Sequence, residues 1–168
     1  VILGDQLSSR LPIVARAAKG KDVFLLAEVM AEATYVRHHV KKIAFLFSAM
    51  RHFADDLRAA KYRVHYTKLD DALNAGSFTG EVARAIRLHG VTRLVVTFPG
   101  EYRVLQAMET WQAELGVPVE ILPDTRFLCT PQEFATYADG RDNLRMEFFY
   151  REMRRRYNIL MDGETPVG

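Results

Sequence analysis

At 168 residues, with 49% apolar and 26% charged residues, the chain has the make-up of an ordinary globular protein: one domain, or one domain and part of a second. Its net charge of +2 is too small to imply a polyanionic partner unless basic residues cluster locally. A single cysteine, Cys129, excludes an internal disulfide and an all-cysteine metal centre. No apolar run approaches the roughly 20 residues of a membrane span and no secretory leader is visible, so no membrane partner and a cytoplasmic location are expected.

In chain order, short apolar runs alternate with stretches of helical period. The runs are Val1-Ile2-Leu3, Val23 to Val29, Tyr62 to Tyr66, Arg93 to Phe98 and Val117 to Leu122. Near-continuous apolar strands separated by helices predict a parallel sheet covered on both faces, built from right-handed βαβ units. Between the second and third runs, Ile43, Leu46, Phe47, Met50, Ala54 and Leu57 recur at three- and four-residue steps. That is the inner stripe of a long helix, with Lys42, Ser48, Arg51, Asp55 and Asp56 largely on its other side. Thr130-Pro131-Gln132-Glu133 is a capping box with proline at the first helical position. It opens a C-terminal stretch in which Phe148, Phe149, Tyr150, Tyr157 and Leu160 sit beside Arg145, Arg151, Arg154, Arg155 and Arg156. The chain enters at Val1 inside a strand-like run and ends at Gly168 in a turn-like one, which reads as a piece of something longer. The expected fold class is α/β: a Rossmann-like three-layer α/β/α domain with a five-stranded parallel sheet over 1–129, then a helical connector over 130–168.

In such a sheet a ligand sits beyond the carboxyl ends of the strands. Those ends carry Gly4, Asp5 and Gln6, then Glu28, Glu32 and Tyr35, then Asp70 and Asp71, then Pro99, Gly100 and Glu101, then Asp124. This rim is acidic. Phosphates call for helix N-termini, glycine loops and basic side chains, and neither a GxGxxG nor a Walker loop is present. Carboxylates accept hydrogen bonds, so the rim suits a neutral, hydroxylated ligand such as a heterocycle with a sugar-alcohol chain. The plainer alternative is that these acids solvate loops.

Other chemistries find less support. His38 and His39 are adjacent and point to different helix faces, His52 lies more than three turns on, and no HExxH spacing exists. A role near the helix start is expected for the first two, and no metal site. Cys129 has no recognisable catalytic context, and Ser48 and Ser77 sit in no nucleophile elbow, so no catalytic residue is assigned. Tyr150 to Tyr157 offers four arginines with flanking tyrosines, suitable for phosphate contacts and stacking, but Glu147 and Glu152 dilute it.

The stretches "ILGDQL", "EVMAEATYVRHHVKKIAFLFSAMRHFADDLR", "DDALNAGSFTGEV" and "LRMEFFYREMRRRYNILM" resemble the N-terminal part of the bacterial photolyase-related proteins. These are the iron–sulfur cryptochromes and (6-4) photolyases of the cryptochrome/photolyase superfamily. The resemblance covers essentially the whole chain. It implies an α/β domain that binds the antenna chromophore 6,7-dimethyl-8-ribityllumazine. It further implies a C-terminal helical domain, outside this chain, that binds FAD and a 4Fe-4S cluster, with damaged DNA as partner of the full-length lyase. The matching antenna positions are Gly4, Asp5, Gln6, Glu28, Glu32, Tyr35 and Leu46, with Glu101 as a further candidate. Asp5, Gln6, Glu28 and Glu32 are expected to bond the ribityl chain and ring edge, and Leu46 to pack on the ring plane. The fragment alone is not expected to be catalytic, and its C-terminal aromatics are expected to be exposed or paired with another copy. Two other classes remain open: a nucleotide-binding regulatory domain of universal-stress type, and a nucleic-acid module using the arginine segment.

Overall fold

A computed structural model describes residues 1–167. Contacts divide the chain into two units, Val1–Asp124 and Thr125–Gly168; the sequence boundary was expected after residue 129.

The first unit runs α1 (Pro12–Ala15), β1 (Val23–Ala27), α2 (Met30–Thr34), α3 (Val40–Ala59), β2 (Arg63–Thr67), α4 (Phe78–His89), β3 (Leu94–Thr97), α5 (Tyr102–Leu115) and β4 (Val119–Leu122). β1 pairs with β2 and β3 with β4, both parallel. Each pair is joined by a crossover helix, because parallel neighbours need a long return path. The class is therefore mixed α/β, but the sheets are two-stranded rather than five-stranded. Val1–Leu3 is not a strand here. It runs between the pairs, with Ile2 N donating to Leu25 O (3.0 Å) and Val1 N to Val95 O (2.8 Å). One bond to each side over three residues is too short a ladder to define a strand.

The pleat sorts side chains onto two faces. Ile2, Phe24 and Leu26 join Met50, Phe53 and Leu57 of α3 in one apolar cluster. Leu3, Leu25, Leu94 and Val96 join Val82 and Ala85 of α4 and Val104, Met108 and Trp111 of α5 in the other. The period-3.6 stripe predicted on the long helix is thus its buried face, Met50, Ala54 and Leu57 included. Gly90 and Gly116 end α4 and α5 in the left-handed region, at φ 60° and 69°, where a side chain would be strained.

The second unit holds α6 (Pro131–Ala138), α7 (Met146–Tyr157) and a short antiparallel pair, β5 (Met161–Asp162) and β6 (Thr165–Pro166). The predicted capping box opens α6: Thr130 Oγ1 accepts from Glu133 N at 3.2 Å and Glu133 Oε2 accepts from Thr130 N at 2.8 Å. Among the described residues no helix is long and apolar enough to cross a membrane.

Candidate functional site

The turn after Val1–Leu3 lies against α3. A Cβ built on Gly4 would come within 3.1 Å of Met50 Sδ and 3.3 Å of both Leu46 methyl carbons. Glycine is what lets the chain approach this closely. Beside that turn a cavity of about 230 Å³ opens at the carboxyl ends of the strands. Leu3, Ala33, Ile43, Leu46, Phe47, Phe78, Pro99 and Val104 supply apolar wall, and Asp5, Glu32, Tyr35, His38, Lys42 and Glu101 supply polar groups, with Gly4 and Gly100 at the close approaches. The geometry combines apolar wall with a few hydrogen-bonding groups, the usual make-up of a small-molecule site.

Six of the eight sequence-predicted site residues line this cavity: Gly4, Asp5, Glu32, Tyr35, Leu46 and Glu101. Gln6 and Glu28 do not. Gln6 is buried and spans the start of the chain and the end of β3, donating to Thr97 O (3.3 Å) and Phe98 O (3.2 Å) while accepting from Leu3 N (3.3 Å). Glu28 is fully buried. It takes a forked pair from Arg51 (2.6 and 2.8 Å), the Tyr66 hydroxyl (2.6 Å) and Leu69 N (2.9 Å). Burial alone would raise its pKa, but Arg51, Tyr66 and the Leu69 N–H together outweigh burial and hold it below the ordinary carboxylate value. The same contacts account for Tyr66 in reverse: burial and donation to Glu28 push its hydroxyl well up.

The rim carboxylates are not bare. Arg103, one residue into α5, forks onto Glu32 at 2.8 and 2.7 Å and reaches Glu101 at 2.9 Å. Its guanidinium lies 4.2 Å from the Tyr35 ring centroid, and the Tyr35 hydroxyl donates to Glu101 at 3.2 Å. Sequence reasoning missed Arg103. It also missed His38, Lys42 and Phe78 as lining residues. The available signal for Arg103 was an arginine two residues after a rim glutamate at the start of a helix, which is not distinctive.

A second buried carboxylate was also missed. Glu81 of α4 accepts from Thr67 Oγ1 (2.6 Å), Ala75 N (2.6 Å) and Arg84 Nη2 (2.7 Å). Burial would raise its pKa, yet these three partners hold it low. With Asn74, which donates to Glu28 O and Lys68 O at 2.7 and 2.8 Å, it fixes the loop between β2 and α4.

The expected histidine roles hold. His39 caps α3, its Nδ1 accepting from Lys41 N at 3.1 Å, and His38 Nδ1 lies 3.2 Å from Lys42 Nζ. Among the described residues no three His, Cys, Asp or Glu side chains converge on a metal-sized site. The Cys129 thiol has its pKa raised by burial and by nearby Glu133, the opposite of an activated nucleophile. The arginine-rich segment is neutralised: residues 125–168 hold seven arginines and seven acids. Arg151 pairs with Glu147 and Arg156 with Glu133. Arg154 is buried and donates to the carbonyls of Ile159, Leu160 and Val167.

Parallel strands whose carboxyl ends open onto a small apolar cavity with a carboxylate-bearing rim make this an α/β unit with a candidate small-molecule site. The family model for deoxyribodipyrimidine photo-lyase-related proteins matches residues 1–168, and the chain belongs to that family. It is 55% identical over its whole length to a (6-4) photolyase of Agrobacterium fabrum, of which it covers 33%. The chain thus spans one third of that relative. It is also 23% identical over 159 residues to an uncharacterised protein of Acanthamoeba polyphaga mimivirus, covering 88% of this chain and 76% of the viral protein.

Proposed function

We propose that this chain is the antenna-binding unit of a light-dependent DNA photolyase of the (6-4) type, or of a photoreceptor built on the same plan. On this reading Val1–Leu3 joins the two strand pairs into a single Rossmann-like sheet, and residues 130–168 lead towards a further, FAD-binding helical domain. The observation that carries the reading is convergence: Gly4 and Asp5, Glu32 and Tyr35, Leu46, and Glu101 come from four separate stretches and border one cavity. Its volume of about 230 Å³ is just under the roughly 300–1,000 Å³ of pockets that enclose small ligands. That suits a bicyclic ring gripped between Leu46 and the facing wall, with its polyol chain lying along the polar rim. Leu46, Asp5, Glu32 and Glu101 would hold 6,7-dimethyl-8-ribityllumazine there, which would supply light absorption for a flavin in that further domain. Asp5, and the second lone pairs of the Glu32 and Glu101 oxygens that already accept from Arg103 and Tyr35, would accept from ligand hydroxyl and ring N–H groups, and Leu46 would pack on the ring. No residue here is assigned to FAD, to the lesion or to the iron–sulfur cluster, since one cysteine cannot supply four thiolates.

The test is a titration of the chain with 6,7-dimethyl-8-ribityllumazine, read by the ligand's fluorescence polarisation. Saturable binding is expected, weakened at least about tenfold by Asp5→Ala and abolished by Leu46→Trp, which fills the cavity, with both variants folded by circular dichroism. Absence of saturable binding by the folded chain, or undiminished binding by Leu46→Trp, overturns the reading. A nucleic-acid role for α7 is disfavoured by the charge balance of residues 125–168.

A further inference from the structure

We infer that Arg103 is the positioning residue of the cavity: by clamping Glu32 to Glu101 it holds α2 in place as the cavity's wall. This rests on the chromophore reading only for the identity of the ligand.

α2 is five residues long, shorter than an isolated helix can sustain. None of its residues is buried, so apolar burial contributes little to its placement. What fixes it at the start of α5 is polar. Arg103 spends both ends of its fork on Glu32 and shares one nitrogen with Glu101. Tyr35, the residue that closes α2, lies on the guanidinium and donates to the same Glu101. One planar cation thus organises three cavity residues, Glu32, Tyr35 and Glu101, while not itself lining the cavity. Lysine cannot substitute fully, because it lacks the fork and the flat stacking face. The arrangement also sets the ligand class. With the guanidinium occupied by two carboxylates, its side of the rim offers acceptors rather than a phosphate clamp, which favours a neutral polyol over a phosphorylated one.

The experiment compares the wild-type chain with Arg103→Gln, Arg103→Lys, Glu32→Gln and the Glu32→Gln/Arg103→Gln double variant. One readout needs no ligand: amide hydrogen exchange across residues 31–35. The other is the Kd for 6,7-dimethyl-8-ribityllumazine. Arg103→Gln is expected to speed exchange in α2 about tenfold and to weaken the ligand by about tenfold, chiefly through faster release. Its thermal midpoint should stay within about 2 °C, because the pair is exposed. Arg103→Lys should fall between, and in amide exchange the double variant should be no worse than Arg103→Gln alone, since both mutations break one clamp. Unchanged exchange in Arg103→Gln overturns the inference whatever the ligand does. Faster exchange with an unchanged Kd also overturns it, because α2 would then not be the wall that matters. If the wild-type chain binds no lumazine while Arg103→Gln loosens α2, the chromophore reading fails and the clamp stands.

Discussion

Two glutamate–arginine–tyrosine groups, built on Glu28 and Glu32, do different work. Glu28, Arg51 and Tyr66 tie the end of β1 to α3 and β2; Glu32, Arg103 and Tyr35 tie α2 to α5. The chemistry of the two is nearly the same. Burial separates them: the Glu28 side chain is 0% exposed and the Glu32 side chain 23%, with Glu101 beside it at 51%. A carboxylate sealed from water must spend its lone pairs on the protein, and Glu28 has four such bonds. One at a cavity mouth keeps lone pairs for something else. The first group is architecture, and the second borders the cavity proposed as the site.

The largest effect expected from that difference is on stability. Glu28→Gln leaves Arg51, Tyr66 and the Leu69 N–H facing a weaker, uncharged acceptor. Removing one partner of a fully buried pair costs several kcal/mol; Arg51 is 48% exposed, so about 2–3 kcal/mol is expected, or roughly 4–12 °C in thermal midpoint. Glu32→Gln should barely move the midpoint and should instead lower ligand affinity. Equal midpoints for the two variants in parallel thermal melts would erase the distinction.

Acid should expose the same contrast. Glu28 and Glu81 both have folded pKa values held below the ordinary 4.5. The unfolded chain therefore takes up protons at these sites before the folded one does. Their stabilisation is fully present above pH 4.5 and is lost as pH falls through the unfolded and then the folded value. Thermal midpoints measured from pH 7 down to pH 3 should drop below pH 4.5, and the drop should be shallower in Glu28→Gln. A parallel acid limb in that variant would mean that Glu28 is not one of the groups responsible.

The difference between the two groups also marks where the sequence could be read and where it could not. The strand runs, the inner stripe of α3, the His39 cap and the Thr130 box are local or periodic, and periodicity reports burial directly. Asp5 and Glu32 were legible as rim residues because a parallel sheet puts strand ends on one side; Leu46, inside α3, was named only through the family resemblance. Glu28 read the same way and is a structural hub instead, since its partners Arg51, Tyr66 and Leu69 lie 23, 38 and 41 residues away. Arg103 was missed for the same cause: its bond to Glu32 spans 71 positions. Long-range polar pairing leaves no period. Val1–Leu3 read as a strand because three apolar residues in a row predict one, whereas here the segment makes one bond to each pair rather than a ladder.

The smallest expected effects come from removing one hydroxyl in each group. Tyr66→Phe deletes the donor of a 2.6 Å bond to a buried carboxylate. Glu28 keeps Arg51 and Leu69 N, so the loss is that of one charge-assisted bond, about 1.5 kcal/mol. It should appear in a urea midpoint at unchanged m-value, because neither the fold nor the exposed surface changes. Tyr35→Phe deletes the donor of a 3.2 Å bond on an exposed ring, and the ring stays on Arg103. Its urea midpoint should match the wild type, while amide exchange in α2 should quicken by a factor of about two or three. If Tyr35→Phe lowers the midpoint as much as Tyr66→Phe does, α2 carries stability as well as ligand, and the rim belongs to the architecture after all.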